Sequence, residues 1–168
     1  MEKTVDQWIH KDRKMYNMGE DSMLPAMYDV DLYKLQKHKI KIFFFMDSSG
    51  SCWGLKDRFF IAAKSFDPKL FDLRLFTFDT DVYETTLASG EIHGGGGTAF
   101  QIIEKKIQGV MQKESIEYPA AVFMLTDGEA CDHLTMQHPD RLYVFLTEGG
   151  SRNCLPQNCN IYDLKDYE

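Results

Sequence analysis

The chain has 168 residues, 43% of them hydrophobic and 13% aromatic, and a formal net charge of −7. That is enough apolar chain for one domain with its own core, and too much for a disordered segment. The acidic balance argues against broad binding to nucleic acid or anionic membranes, and no apolar run approaches the roughly 18 residues of a membrane span.

Residues 1–38 read as an N-terminal arm. Val5, Trp8, Ile9 and Met15 recur at near-helical spacing with charges between them, Gly19 is a stop signal, and the stretch to Asp31 has no clear period. The start of the chain, Met1 to Gln7, leads into no apolar segment of the signal-peptide kind, so a cytoplasmic protein is expected. From residue 39 to 168 the pattern is that of one α/β domain. Ile40 to Met46 is an apolar run of the kind found in strands buried on both faces. Trp53 to Phe66 has helical apolar spacing and stops before Pro68. Phe71 to Phe78 reads as a second strand, and after the polar turn Asp79-Thr80-Asp81 the stretch Val82 to Leu87 reads as its antiparallel hairpin partner at the sheet edge. A helix is expected over Ala99 to Met111, then strands at Ala120 to Leu125 and Arg141 to Leu146, with a short last one at Ile161-Tyr162. Strands alternating with helices predict a three-layer α/β sandwich, doubly wound around a mostly parallel sheet with one antiparallel edge strand.

Three of these elements end in oxygen-rich turns. The first apolar strand runs into Asp47-Ser48-Ser49-Gly50-Ser51, the glycine run Gly94 to Gly97 runs into Thr98, and Ala120 to Leu125 runs into Thr126-Asp127-Gly128. In such sheets ligands bind outside the carboxyl ends of the strands. Two carboxylates and three hydroxyls gathered there would suit a hard divalent cation, Mg²⁺ or else Mn²⁺ or Ca²⁺. Plainer readings exist for each part. Asp47 and its serines, or Thr98, could cap helices, and Asp127-Gly128 is a common turn pair. The glycines could form a surface loop, let backbone approach the ion, or offer N–H groups to an anion.

The set Asp47, Ser49, Ser51, Thr98, Asp127 resembles the metal-ion-dependent adhesion site (MIDAS) of von Willebrand factor A domains: Asp-x-Ser-x-Ser, then a distant Thr, then a distant Asp. The resemblance covers about residues 39 to 163. Gly-Gly-Gly-Gly-Thr with Leu-Thr-Asp-Gly looks most like the intracellular branch, including the domains of metallopeptidase-related bacterial and phage proteins. Those usually carry an acidic residue where this chain has Ala99. The resemblance implies that the five residues ligate the ion and that a protein partner's Asp or Glu completes its shell. It also implies that an ATPase or protease encoded nearby is a candidate partner.

Cys52, Trp53, Gly96, Gly97 and Glu129 are candidates for the rim, with Cys131, His93 and His133 as neighbours; for Cys52 and Cys131 the plainer reading is buried or incidental thiols, and the sharper one a soft-ligand set admitting Zn²⁺ or a redox-sensitive rim. Asp132 reads as part of a solvated acidic rim, and Asp79 and Asp81 as turn residues. Cys154 and Cys159, with four residues between them, read as surface thiols or a local redox bridge rather than a zinc knuckle. The alternative function is a metal-assisted hydrolase or phosphatase using Asp47. Against it, a haloacid-dehalogenase-type site needs a second Asp where Ser49 stands, and neither His-Glu-x-x-His nor Gly-x-Ser-x-Gly occurs, so no catalytic residue is assigned.

Overall fold

In a computed structural model, the structure is described for residues 39–167; the expected N-terminal arm lies outside these residues. The elements are β1 (Ile40–Asp47), α1 (Lys56–Lys64), β2 (Phe71–Phe78), β3 (Val82–Thr85), α2 (Gln101–Glu114), β4 (Ala121–Thr126), β5 (Leu142–Leu146) and β6 (Asn160–Asp163). Short 3-10 turns occupy Gly50–Leu55, Pro139–Arg141 and Leu164–Tyr167. The strands form one sheet in the order β3-β2-β1-β4-β5-β6, with every pair parallel except the hairpin β2–β3. The predicted architecture is therefore observed.

The two-residue period of a strand sorts the apolar run of β1 onto two cores. Ile42, Phe44 and Met46 face α1, joining Phe59, Ala62, Ala63 and Phe123. Phe43 and Phe45 face α2, joining Phe100, Ile103, Ile107 and Val122. Packing is aromatic on both sides: Phe44 meets Phe59 edge-on at 4.7 Å, and Phe45 stacks on Phe76 at 4.8 Å between centroids. Each fully buried phenylalanine of this kind contributes about 1.5–3 kcal/mol by transfer from water. No α-helix lies between β4 and β5 or between β5 and β6, so Leu134, Met136 and Leu155 from loops pack on the α2 face and Leu164, from the last 3-10 turn, on the α1 face.

Two helix boundaries differ from the sequence reading. The stretch expected as one helix from Trp53 to Phe66 divides into the 3-10 turn Gly50–Leu55 and α1, because Gly50 and Gly54 weaken helix at its start. The second helix starts at Gln101 rather than Ala99, whose N–H is drawn to the Asp79 carbonyl at 2.8 Å. It runs on to Glu114, where Ser115 turns left-handed at φ 53°. No helix among the described residues is long and apolar enough to cross a membrane.

Arg74 ties the hairpin edge to α2. Its guanidinium bonds Glu84 on β3 at 2.6 Å and Glu114 at the end of α2 at 2.5 Å, and lies 5.8 Å from the Phe43 ring centroid. Both glutamates are well exposed, so the ion pairs are screened and the covered aromatic surface carries much of the effect. Arg74→Ala should lower stability by about 1–2 kcal/mol and speed hydrogen exchange of the β3 amides more than those of β4. Equal acceleration in both strands would mean that Arg74 does not anchor this edge.

Candidate metal centre

Asp47 is the last residue of β1, at the centre of the sheet. Beyond it the chain turns sharply because the Ser49 N–H donates to Asp47 Oδ1 at 2.9 Å. The turn brings Ser49 and Ser51 hydroxyls to 3.3 Å of each other, and Ser51 Oγ donates to Asp127 Oδ2 at 2.5 Å. On the other side, Thr98 Oγ1 makes a long contact of 3.4 Å with Asp47 Oδ1. Thr98, Asp47, Ser49, Ser51 and Asp127 thus lie along one connected hydrogen-bond path drawn from three separate chain segments.

Register accounts for this convergence. β1 and β4 are parallel neighbours whose last paired residues are Met46 and Leu125, so Asp47 and Thr126 follow side by side. Thr126 Oγ1 donates to Asp47 Oδ2 at 2.7 Å and accepts the Gly128 N–H at 3.0 Å. Gly128 is required here: its φ is +75° and a Cβ would collide with the Ser151 carbonyl oxygen. Thr126 had no role in the sequence reading, although its place just before Asp127 at the end of a strand was a usable signal.

Asp47 is fully buried. Burial pushes its carboxyl above the ordinary value and the like charge of Asp127 adds to this, while hydrogen bonds from Thr126 and Ser49 oppose it. These hydrogen bonds come from neutral groups, so the buried carboxylate lacks a cationic partner among them. That condition, with hydroxyls at Ser49, Ser51 and Thr98 and a second carboxylate at Asp127, fits a hard divalent cation. Ser49 and Thr98 are buried, Asp127 is half-buried and Ser51 exposed, so the site opens on the Ser51–Asp127 side.

The rim divides. Trp53 is 48% exposed, and Glu129, Gly96 and Gly97 are exposed as well. Cys52 is not at the rim but buried in the floor, where desolvation, followed by the charges of Asp47 and Asp127, pushes its thiol up to about 12. The His93 ring packs on Tyr83 and its Nε2 lies 3.8 Å from Glu91, while Cys131 and His133 are exposed. The four cysteines are all free, and Cys154 and Cys159 are half-buried against the α2-side core rather than bridged or on the surface.

Two acidic residues have more definite work than their sequence context suggested. Asp132 is no solvated rim residue: its carboxylate accepts the Phe100 N–H at 2.6 Å and the Gln101 N–H at 3.1 Å, capping α2. Neither Thr98 nor the serines after Asp47 provide a side-chain cap. Asp79 is more than a turn residue, since it is buried and accepts N–H groups from Asp81 at 3.0 Å and Gly96 at 3.3 Å. It thereby holds the glycine run down. Gly94, at φ +133°, lies so close to Ser48 that a Cβ would collide with the Ser48 hydroxyl. The close backbone approach permitted by the glycines is therefore to Ser48 and Asp79.

Asp47→Asn should raise the stability of the metal-free protein by about 1–2 kcal/mol, because it removes a buried charge that neutral donors satisfy incompletely. The sign with pH follows: with the folded value above the ordinary 3.8, the wild type loses stability as pH rises through the folded value. The Asn variant should lack that fall. Thermal melts in chelator from acid to neutral pH test this, and a variant less stable than wild type at neutral pH would show that the ionised carboxylate is already well compensated.

No protein-family model matches the chain, and no curated protein matches it significantly.

Proposed function

We propose that this chain is a divalent-metal-dependent protein-interaction module of the von Willebrand factor A kind, docking a carboxylate of a protein partner. The observation that carries the reading is the connected path Thr98–Asp47–Ser49–Ser51–Asp127, buried at Asp47 and open at Ser51 and Asp127. Those five residues would hold Mg²⁺, with Mn²⁺ or Ca²⁺ as substitutes. When bound, the ion would supply a positive, Lewis-acidic point at an otherwise acidic surface, the attraction that a partner's Asp or Glu needs.

The chain's own residues divide the remaining work. Thr126 and the Ser49 N–H fix the orientation of the Asp47 carboxylate, and Asp132 and Asp79 hold the segments on either side of Thr98. Trp53, exposed directly after the serine turn, offers a large rigid surface of the sort that anchors protein interfaces. An ATPase or protease encoded near this gene remains the candidate partner class. A hydrolase using Asp47 as nucleophile is less well supported, since that carboxylate is buried with both oxygens hydrogen-bonded.

Calorimetric titration with Mg²⁺ should show binding at a single site, weakened about tenfold or more by Asp127→Ala and abolished by Asp47→Ala. Affinity capture from cells of origin should yield a partner with Mg²⁺ that is lost with chelator and lost in both variants. Trp53→Ala should keep Mg²⁺ binding yet weaken partner capture by about 2 kcal/mol. A partner retained equally in chelator and by both aspartate variants would refute the metal-dependent reading.

A further inference from the structure

The floor of the site holds a group that a purely hard-metal centre has no use for. Cys52 directly follows Ser51, is fully buried, and has its Sγ 4.0 Å from Ser51 Oγ. One carboxylate oxygen of Asp47, one of Asp127 and Cys52 Sγ all lie within 4.8 Å of one another. A tetrahedral Zn²⁺ with Zn–S of about 2.3 Å and Zn–O of about 2.0 Å places its ligands roughly 3.5 Å apart. The three atoms therefore need to close by on the order of one ångström, within reach of side-chain rotation at Asp127 and Cys52.

We propose that Cys52, Asp47 and Asp127 form a second, softer coordination set sharing its carboxylates with the hard-metal site, so that Zn²⁺ or Cd²⁺ is held through the Cys52 sulfur and excludes Mg²⁺. This deepens the metal-centre reading by naming a competing class of ion, and it rests on the same two carboxylates. Soft and borderline ions favour sulfur where Mg²⁺ favours oxygen, so a site offering both can change its occupant. Binding forms one metal–sulfur bond, and the thiol proton passes to solvent; no electron is transferred. The charge changes too. Two carboxylates balance a divalent ion, whereas two carboxylates and a thiolate leave the centre at −1, which repels rather than attracts a partner's carboxylate. Zn²⁺ occupancy thus switches the docking surface off.

Cadmium reports directly on the bond, because thiolate-to-cadmium charge transfer adds an ultraviolet band. Titrating the protein with Cd²⁺ should raise that band to saturation at one equivalent. Cys131→Ser, which removes the exposed thiol nearest in sequence to Asp127, should retain it. Cys52→Ala should lose it, and Asp127→Asn, at a half-exposed position that leaves the thiol in place, should weaken Cd²⁺ binding about tenfold or more. Prior saturation with Zn²⁺ should remove the heat of Mg²⁺ binding. A band absent from the wild type, or undiminished in Cys52→Ala, overturns the proposal. Should Cys52→Ala fail to fold, an undiminished affinity in Asp127→Asn overturns it equally. A Cd²⁺ band in a protein that takes up no Mg²⁺ sustains the soft set while refuting the hard-metal docking site; Mg²⁺ binding without a Cys52-dependent band does the reverse.

Discussion

The structure turns on one carboxylate placed where a charge is expensive. Asp47 ends the central strand, fully buried, and among the described residues its hydrogen bonds come from the neutral groups of Ser49, Thr98 and Thr126, while Asp127 stands nearby with the same sign of charge. A domain with no use for that charge would gain by losing it, since an apolar or amide side chain there would spare the desolvation cost. Oriented donors hold the carboxylate, and the side toward Ser51 is exposed. Marginal stability makes this a substantial commitment, because the cost of one such group is a sizeable fraction of the net stability of a small domain.

Topology makes the commitment possible. β2 joins β1 on one side through α1, and β4 joins it on the other through α2, so the chain reverses its winding between β1 and β4. The two crossover helices lie on opposite faces, as the separate cores around Phe44 and Phe45 show. In open α/β sheets that reversal point, at the carboxyl ends of the strands, is where ligands bind. Asp47 and Asp127 flank it, and Thr98 enters from the loop before α2. Asp132 then closes the arrangement, because a residue in the β4 loop caps α2, and Cys131 N–H donates to the Thr98 carbonyl at 3.0 Å. The segments carrying the site are therefore tied to each other and not only to the sheet.

What could be read from the sequence was whatever local pattern determines. Apolar runs at Ile40 to Met46 and Ala120 to Leu125 identify strands buried on both faces, and an oxygen-bearing residue just beyond such a run must emerge at the sheet's end. That reasoning reaches Asp47 and Asp127 directly, and the serine alternation reaches Ser49 and Ser51. It does not reach the supports. Thr126 meets Asp47 across 79 positions of sequence, Asp132 meets Phe100 across 32, and Gly96 meets Asp79 across 17. Each contact depends on strand order and register, which no local periodicity encodes. In sequence Asp132 is one more acidic residue in a polar loop, and Asp79 one aspartate of an Asp-Thr-Asp turn. The burial of Cys52, the plainer of its two sequence readings, follows from the Gly50–Leu55 turn, which takes the residue after the exposed Ser51 into the floor.

The same turn explains how one site can have a fixed half and an adaptable half. Asp47, Ser49 and Thr98 are buried and bonded to strand ends, so their geometry is set by the sheet. Ser51, Trp53 and Glu129 are exposed, and Asp127 is half-buried with its carboxylate held by the Ser51 hydroxyl and the Glu129 N–H. A ligand arriving from solvent meets the second group, and loosening the Ser51–Asp127 hydrogen bond disturbs neither β1 nor β4. The energetic cost of the arrangement is thus concentrated in the buried carboxylate, while the exposed side chains can rearrange without unpacking the core. Substitution at the exposed positions therefore leaves the core packing intact, whereas Asp47 is constrained by the fold.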